Sequence, residues 1–223
     1  MHIGMIVGIG PAATDYYYRY LIGEFARCGN DLELTMTHAD TATLLRNQAQ
    51  GDVSAQVAIY SRLAQRMRSA GAEALAITSI AGHFCIAEFK AVSPLPVIDL
   101  LVEVDRVVSK RGYRRLGLIG TRVVMESRFY GAIRGAEIVP PPGNLLDEVH
   151  DAYVSMAASG IVTDAQRGLF LPVGKVLAEA EKVEAVLLAG TDLALAFAGQ
   201  DPGFATLDCA RVHAAAIARA GMQ

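Results

Sequence analysis

Short apolar runs that end in small or polar residues alternate along the chain with longer stretches whose apolar positions recur every three or four residues. The short runs predict strands at residues 3–7, 32–37, 74–78, 97–98, 116–119, 137–139, 185–188 and 205–207. The longer stretches predict helices over 14–27, 55–69, 102–110, 126–134, 147–158, 164–181 and 210–220. In the stretch 55–69, Val57, Ala58, Leu63, Ala64 and Met67 fall at the mixed steps of a helix face. Regular alternation of strand and helix predicts the α/β class, with parallel sheets flanked by helices on both sides.

The pattern also repeats. Ile3-Gly4-Met5-Ile6-Val7-Gly8, followed by a helix with Tyr16-Tyr17-Tyr18, is echoed by Leu116-Gly117-Leu118-Ile119-Gly120 and a helix with Phe129-Tyr130. Glu73-Ala74-Leu75-Ala76-Ile77-Thr78 is echoed by Glu184-Ala185-Val186-Leu187-Leu188-Ala189. Both echoes are displaced by a little over 110 residues. Repetition at one offset predicts two pseudo-symmetric lobes. Their expected limits are residues 1–96 with 209–223 for the first lobe and 97–208 for the second. The changeover lies at Pro94-Leu95-Pro96, and the last helix is expected to return to the first lobe. In open parallel sheets, ligands sit beyond the carboxyl ends of the strands. Two facing lobes would therefore place an active-site cleft between them, lined by residues 8–14, 78–83, 120–122 and 189–192.

Composition narrows the class of function. The chain of 223 residues is 52% hydrophobic and 19% charged, as a folded globular protein requires, and its net charge of -3 offers nucleic acid no basic footprint. No apolar run approaches the ~18 residues of a membrane span, so no membrane partner is expected. The first residues read as a strand rather than a signal peptide. Three scattered cysteines, Cys28, Cys85 and Cys209, lack the spacing of a zinc site or a disulfide framework. They fit a reducing, cytoplasmic setting, with no metal site.

Each of the four segments carries candidate chemistry. In Gly8-Ile9-Gly10-Pro11-Ala12-Ala13-Thr14, glycines permit close backbone approach, and free amides at a helix start favour an anion. Pro11 suits the first helical turn. The same loop reads equally as a plain tight turn, and it lacks the GxGxxG of a dinucleotide fingerprint. In Thr78-Ser79-Ile80-Ala81-Gly82-His83, two hydroxyls at a strand end can bind a carboxylate, and His83 can serve as acid or base near neutral pH. A helix-terminal histidine without a catalytic task is the alternative. Gly120-Thr121-Arg122 repeats the strand-end arrangement with a cation added. Ala189-Gly190-Thr191-Asp192 repeats it again, and Asp192 reads first as a helix N-cap. Asp208 would cap the last helix, where Cys209 and His213 share a face in a spacing more typical of packing than of catalysis. Arg46, beyond His38-Ala39-Asp40, could grip a carboxylate through two parallel hydrogen bonds, or could be a solvated helix arginine.

In order and spacing these segments resemble the aspartate/glutamate racemase superfamily over nearly the whole chain. Residues 8–17 are similar to the family's glycine-rich first turn and aromatic helix. The segment ending at His83 resembles one that ends Cys-Asn-Thr-x-His, and Leu188-Ala189-Gly190-Thr191-Asp192 stands where the family has Leu-Gly-Cys-Thr-Glu. Asp208 and His213 match a closing Asp-Thr-x-x-His. The resemblance implies chemistry at the α-carbon of an amino acid or related small carboxylate, with no pyridoxal phosphate, metal or nucleotide, often in a homodimer. It also implies two thiols, one on each face of the substrate. Here Ser79 and Gly190 hold those two positions. An alcohol is a far weaker acid than a thiol, which titrates near ~8.5. The expected catalytic groups are therefore Ser79 and His83, with Cys85 and Cys209 as further candidate bases. Gly8, Gly10, Pro11, Arg46, Thr78, Thr121, Gly190, Thr191 and Asp192 are the expected substrate-binding residues. Three outcomes are open: altered isomerase chemistry, a one-base lyase or decarboxylase, or a carboxylate-binding protein without chemistry. The stretch Met156-Ala157-Ala158-Ser159-Gly160 lacks the second basic group that the family would place there.

Overall fold

Strand β1 (Ile3–Val7) is buried at every position, as a strand covered on both faces must be. In the computed structural model, which describes residues 1–8, 10–199 and 201–223, it pairs in parallel with β2 (Leu34–His38) and β3 (Ala74–Ile77). With β4 (Val97–Ile98) these give a four-stranded sheet in the order β2-β1-β3-β4. A second parallel sheet has the order β6-β5-β7-β8, built from β5 (Arg115–Gly120), β6 (Glu137–Val139), β7 (Ala185–Ala189) and β8 (Thr206–Asp208). The chain divides into two compact units, Met1–Leu100 with His213–Gln223, and Leu101–Val212.

The sequence echo is a structural one. Ile3 pairs with Ala74 in the first sheet, and Leu116 pairs with Ala185 in the second. The second residue of each central strand is a glycine, and each makes room for a helix. A Cβ on Gly4 would lie 2.7 Å from Met67 Sδ of helix α3 (Val53–Ser69). A Cβ on Gly117 would lie 3.1 Å from Leu177 of helix α8 (Asp164–Glu179). Identical strand order and the same small-residue contact make each unit a copy of one α/β plan.

In the first unit, helix α1 (Pro11–Cys28) turns Ala13, Tyr17, Leu21 and Phe25 inward at steps of four. Each large apolar side chain on such a face contributes about 1.5–3 kcal/mol of burial. Helix α2 (Thr41–Gln50) starts at an Asp40 cap whose carboxylate accepts from Thr43 N. The buried face of α3 is Gln56, Tyr60, Leu63, Ala64 and Met67. Val57 and Ala58, expected on that face, lie off it, and Ala58 is exposed. Gln56 can replace them inside because its Oε1 accepts from the Asn47 amide at 3.0 Å. A 3-10 turn (Ala81–Cys85) and helix α4 (Ile86–Val92) lead to β4.

Helix α5 (Leu100–Arg111) opens the second unit, followed after β5 by α6 (Arg122–Glu126), α7 (Leu145–Ser159), α8, α9 (Leu193–Phe197) and α10 (Cys209–Gly221). The last of these ends in the first unit, where Gly221 meets Phe25 and Ile3. The helix expected over residues 126–134 does not form. The Ser127 hydroxyl accepts from Tyr130 N, and Arg128, Phe129, Tyr130 and Gly131 all take positive φ. Left-handed residues cannot continue a right-handed helix, so apolar spacing at Phe129 and Ile133 is overruled by this turn. Asp208 caps α10 as expected, accepting from Ala210 N and Arg211 N.

Candidate functional site

Both sheets end in the loops singled out from the sequence, and each unit carries its own set. In the first unit, β3 runs into Thr78, Ser79 and the 3-10 turn that bears His83. Gly82 lets this turn press against its neighbours, since a Cβ there would lie 2.3 Å from the Tyr60 hydroxyl. The His83 Nδ1–H donates to Ser79 O at 2.7 Å, which leaves Nε2 as an acceptor. That atom is buried and has no hydrogen-bond partner among the described residues. Burial lowers the His83 pKa below its ordinary value, so the ring is neutral and the Nε2 lone pair is available. Ser79 is 4% exposed and is tied to His83 through its carbonyl rather than its hydroxyl. Thr78 serves the sheet: its hydroxyl donates to Ile6 O at 3.2 Å.

Beside this pair lies a buried polar relay. His213 of α10 donates from Nε2 to Ile98 O at 2.8 Å and accepts at Nδ1 from the Tyr17 hydroxyl at 3.0 Å. Burial, with His83 close by, pushes its pKa down to about 3. The His83 and His213 rings meet edge to face with centroids 6.2 Å apart. Asp99, 8% exposed, forms an ion pair with Lys90 at 2.8 Å and acts on both histidines.

The glycine-rich turn is closed by threonines. Gly8, at φ 94°, donates its N–H to Thr14 Oγ1 at 3.0 Å, and Thr41 donates to Gly8 O at 2.6 Å. The Gly8 amide is thus not free for an anion. Its missing side chain serves the His38 ring, because a Cβ would lie 2.2 Å from His38 Nδ1. Gly10 precedes α1 at φ 91°, Pro11 takes the first helical turn, and Ile9 lies outside the described residues. Arg46 is exposed on α2 and turns to Thr43 Oγ1 at 3.3 Å.

In the second unit, Thr121 caps α6 by accepting from Val124 N. The Arg122 amide donates to His150 Nδ1 at 3.1 Å, and the Arg122 guanidinium pairs with Asp147. At the end of β7 the decisive contact is one the sequence did not reveal. The ring of Tyr153, on α7, covers Gly190 so closely that a Cβ at 190 would lie 2.3 Å from Cε2. The Tyr153 hydroxyl donates to Asp192 Oδ2 at 3.3 Å, and burial holds it protonated. Asp192 therefore makes no side-chain cap to α9, contrary to the expectation, because its carboxylate faces Tyr153 instead. Thr191 is 1% exposed, and its hydroxyl has no partner among the described residues. The sequence does not mark Tyr153, because Val149, Tyr153 and Met156 form one apolar helix face.

Burial disfavours the thiolate at both inner cysteines. Cys85 is buried, its thiol pKa pushed up to about 12, and it leans on Gly82 O. Cys209 is fully buried, and burial with Asp208 and Asp192 nearby raises its thiol well above the ordinary value. A thiolate at either place is disfavoured by loss of water and by neighbouring negative charge. Among the described residues no group of three or more His, Cys, Asp or Glu could hold a metal ion, and no helix is long and apolar enough to cross a membrane.

The whole chain is similar to a candidate Asp/Glu racemase from Yersinia pestis, with 26% identity, full coverage of both chains and a TM-score of 0.85. An aspartate racemase homologue from Pyrococcus horikoshii has the same fold, at 24% identity and a TM-score of 0.80, over 100% of this chain and 99% of that one. More distantly, an arylmalonate decarboxylase shares the fold at 15% identity and a TM-score of 0.54, over 99% of this chain and 92% of that one. Residues 6–217 match the family described as Asp/Glu/hydantoin racemase, which spans both sheets and every strand-end loop described above except its first strand's opening residues. The chain belongs to the Asp/Glu/hydantoin racemase family.

Proposed function

We propose that this protein moves a proton at the α-carbon of an amino acid or related small carboxylate from one side only, with His83 as the base. The observation that carries the proposal is the buried, unpartnered Nε2 of a neutral His83. A buried acceptor left without a donor costs about 1–3 kcal/mol, which a ligand proton placed there would recover. The tautomer is fixed by the bond from Nδ1 to Ser79 O. When Nε2 takes the α-proton, the electron pair of the C–H bond moves into the carboxylate as an ene-diolate. The same Nε2 returns a proton to the same face. The Ser79 carbonyl accepts from Nδ1 throughout and favours the transient imidazolium, while the Ser79 hydroxyl is the donor proposed for the substrate carboxylate.

Two-base racemisation has less support. Ser79 offers an alcohol, and the space for a side chain at 190 is filled by Tyr153. The reading involves no pyridoxal phosphate or metal and, as the resemblance implies, a cytoplasmic homodimer. Gly8, Gly10, Pro11, Arg46, Thr78, Thr121, Thr191 and Asp192 are proposed to shape the binding loops. Among them the Thr191 hydroxyl is buried without a hydrogen-bond partner among the described residues.

The test is incubation with a panel of L-amino acids and small carboxylates in deuterated water, followed by NMR and optical rotation. The expected result is α-deuteration with retained configuration, reduced by at least about 100-fold in His83→Gln. Loss of optical activity at the exchange rate would establish a second base and overturn the one-sided reading. A carbon dioxide product would point to decarboxylation. A silent panel that still raises the melting temperature would mean a binding protein.

A further inference from the structure

A cavity lies in the first unit at residues other than those of the His83 turn. It has a volume of about 240 Å³ and is lined by His38, Asp40, Thr43, Gln56 and Arg62, with Ile59 and Leu63 behind them. It opens at the carboxyl end of β2, between the first turn of α2 and α3. Another side of α2 faces the His83 turn: Gln48 donates to Ala81 O at 2.9 Å, and a Cβ on Gly82 would lie 3.3 Å from Leu44. Helix α2 thus contributes residues to both places.

The lining is polar in a specific way. Gln56 is 1% exposed, and its Oε1 is taken by Asn47, which leaves the amide N–H donors of the same side chain. A buried amide seeks acceptors for those hydrogens. Arg62 lines the same space and has no ion-pair partner among the described residues. Asp40 is kept ionised by hydrogen bonds from Thr43, so it supplies a fixed negative charge one turn away. The lining therefore combines donors and a cation with an anion. Isolated anions are disfavoured by Asp40, and isolated cations by Arg62.

We propose that this cavity binds the zwitterionic head of a free α-amino acid, with the carboxylate on Arg62 and Gln56 and the ammonium on Asp40. A guanidinium accepts a carboxylate through paired hydrogen bonds, and the planar fork of Arg62 suits that geometry. His38 closes the cavity, its ring seated on Gly8. The site is independent of the His83 reading. Because Asn47, Gln48 and Leu44 belong to the helix that joins the two places, occupancy is a means of bracing the turn that carries His83.

Isothermal titration of the full chain with glycine, L-alanine, acetate and methylammonium tests the proposal. The expected result is binding of both amino acids and binding about tenfold weaker or worse for acetate and methylammonium. Arg62→Gln and Asp40→Asn should each weaken amino-acid binding by about tenfold or more. Asparagine also caps helices, so Asp40→Asn keeps α2 in place. His83→Gln should leave this binding unchanged, so a failed exchange experiment and a failed cavity are distinguishable. Acetate binding as tight as glycine would overturn the zwitterion assignment. Binding lost in His83→Gln but untouched in Arg62→Gln would put the amino acid elsewhere, and no binding of any probe would refute the site.

Discussion

The ring of Tyr153 occupies the space that a side chain at residue 190 would need, 2.3 Å from the Cβ that Gly190 lacks. The relationship is steric, and it decides which substitutions the second unit accepts. Gly190→Cys forces the ring off its rotamer and away from Asp192, a change that overpacking places at about 1–3 kcal/mol. Tyr153→Ala alone opens a cavity costing about 3–5 kcal/mol. Combined, each substitution relieves the other, so the double variant should be more stable than the sum of the two losses predicts. Urea unfolding of the four proteins checks this, and strict additivity would show that the ring is free to move. A thiol at 190 thus calls for a smaller residue at 153 as well.

Acid should destabilise the protein earlier than its carboxylates alone would. His213 has a folded pKa of about 3, and His83 and His150 are also lowered, chiefly by burial. Above pH ~6.5 these rings are neutral in both folded and unfolded chains and contribute no slope. As pH falls below that value, the unfolded chain takes up protons that the folded one refuses. Stability is therefore lost from pH ~6.5 downward, by about 1.4 kcal/mol per pH unit for a single fully buried ring such as His213. Asp208, raised by burial, works in the opposite sense. Melting temperatures between neutral pH and the carboxylate range should fall in wild type and fall less steeply in His213→Gln. Equal slopes would mean that Tyr17 and Ile98 do not hold the neutral ring.

Thiol reactivity should divide the three cysteines cleanly. Cys28 is exposed, whereas Cys85 and Cys209 are buried with raised pKa values. Iodoacetamide on the native protein at neutral pH should label Cys28 alone, and unfolding in urea should expose all three. Rapid native labelling of Cys209 would revive it as a candidate nucleophile.

Much of this was legible in the chain. β1, β3, β5 and β7 are continuous apolar runs because strands covered on both faces have no polar side to show, and their echo at one offset marks the duplicated plan. The Ser79–His83 spacing was readable too, since four residues bring the ring back to the carbonyl at the start of its own turn. Residues 126–134 do not form the expected helix because apolar spacing cannot report a serine hydroxyl that captures Tyr130 N beside left-handed backbone.

Sequence alone therefore determined the class of fold and the repeated pattern of strands and helices, both of which depend on local pattern. Only the tertiary structure decided that Tyr153 fills the place at 190, that Asp192 answers Tyr153 rather than capping a helix, and that Arg62 rather than Arg46 lines a cavity. These facts depend on contacts between residues far apart in the chain, where burial and close packing set the outcome. The periodicity of a helix tells which face turns inward, but it cannot tell which atom that face will meet.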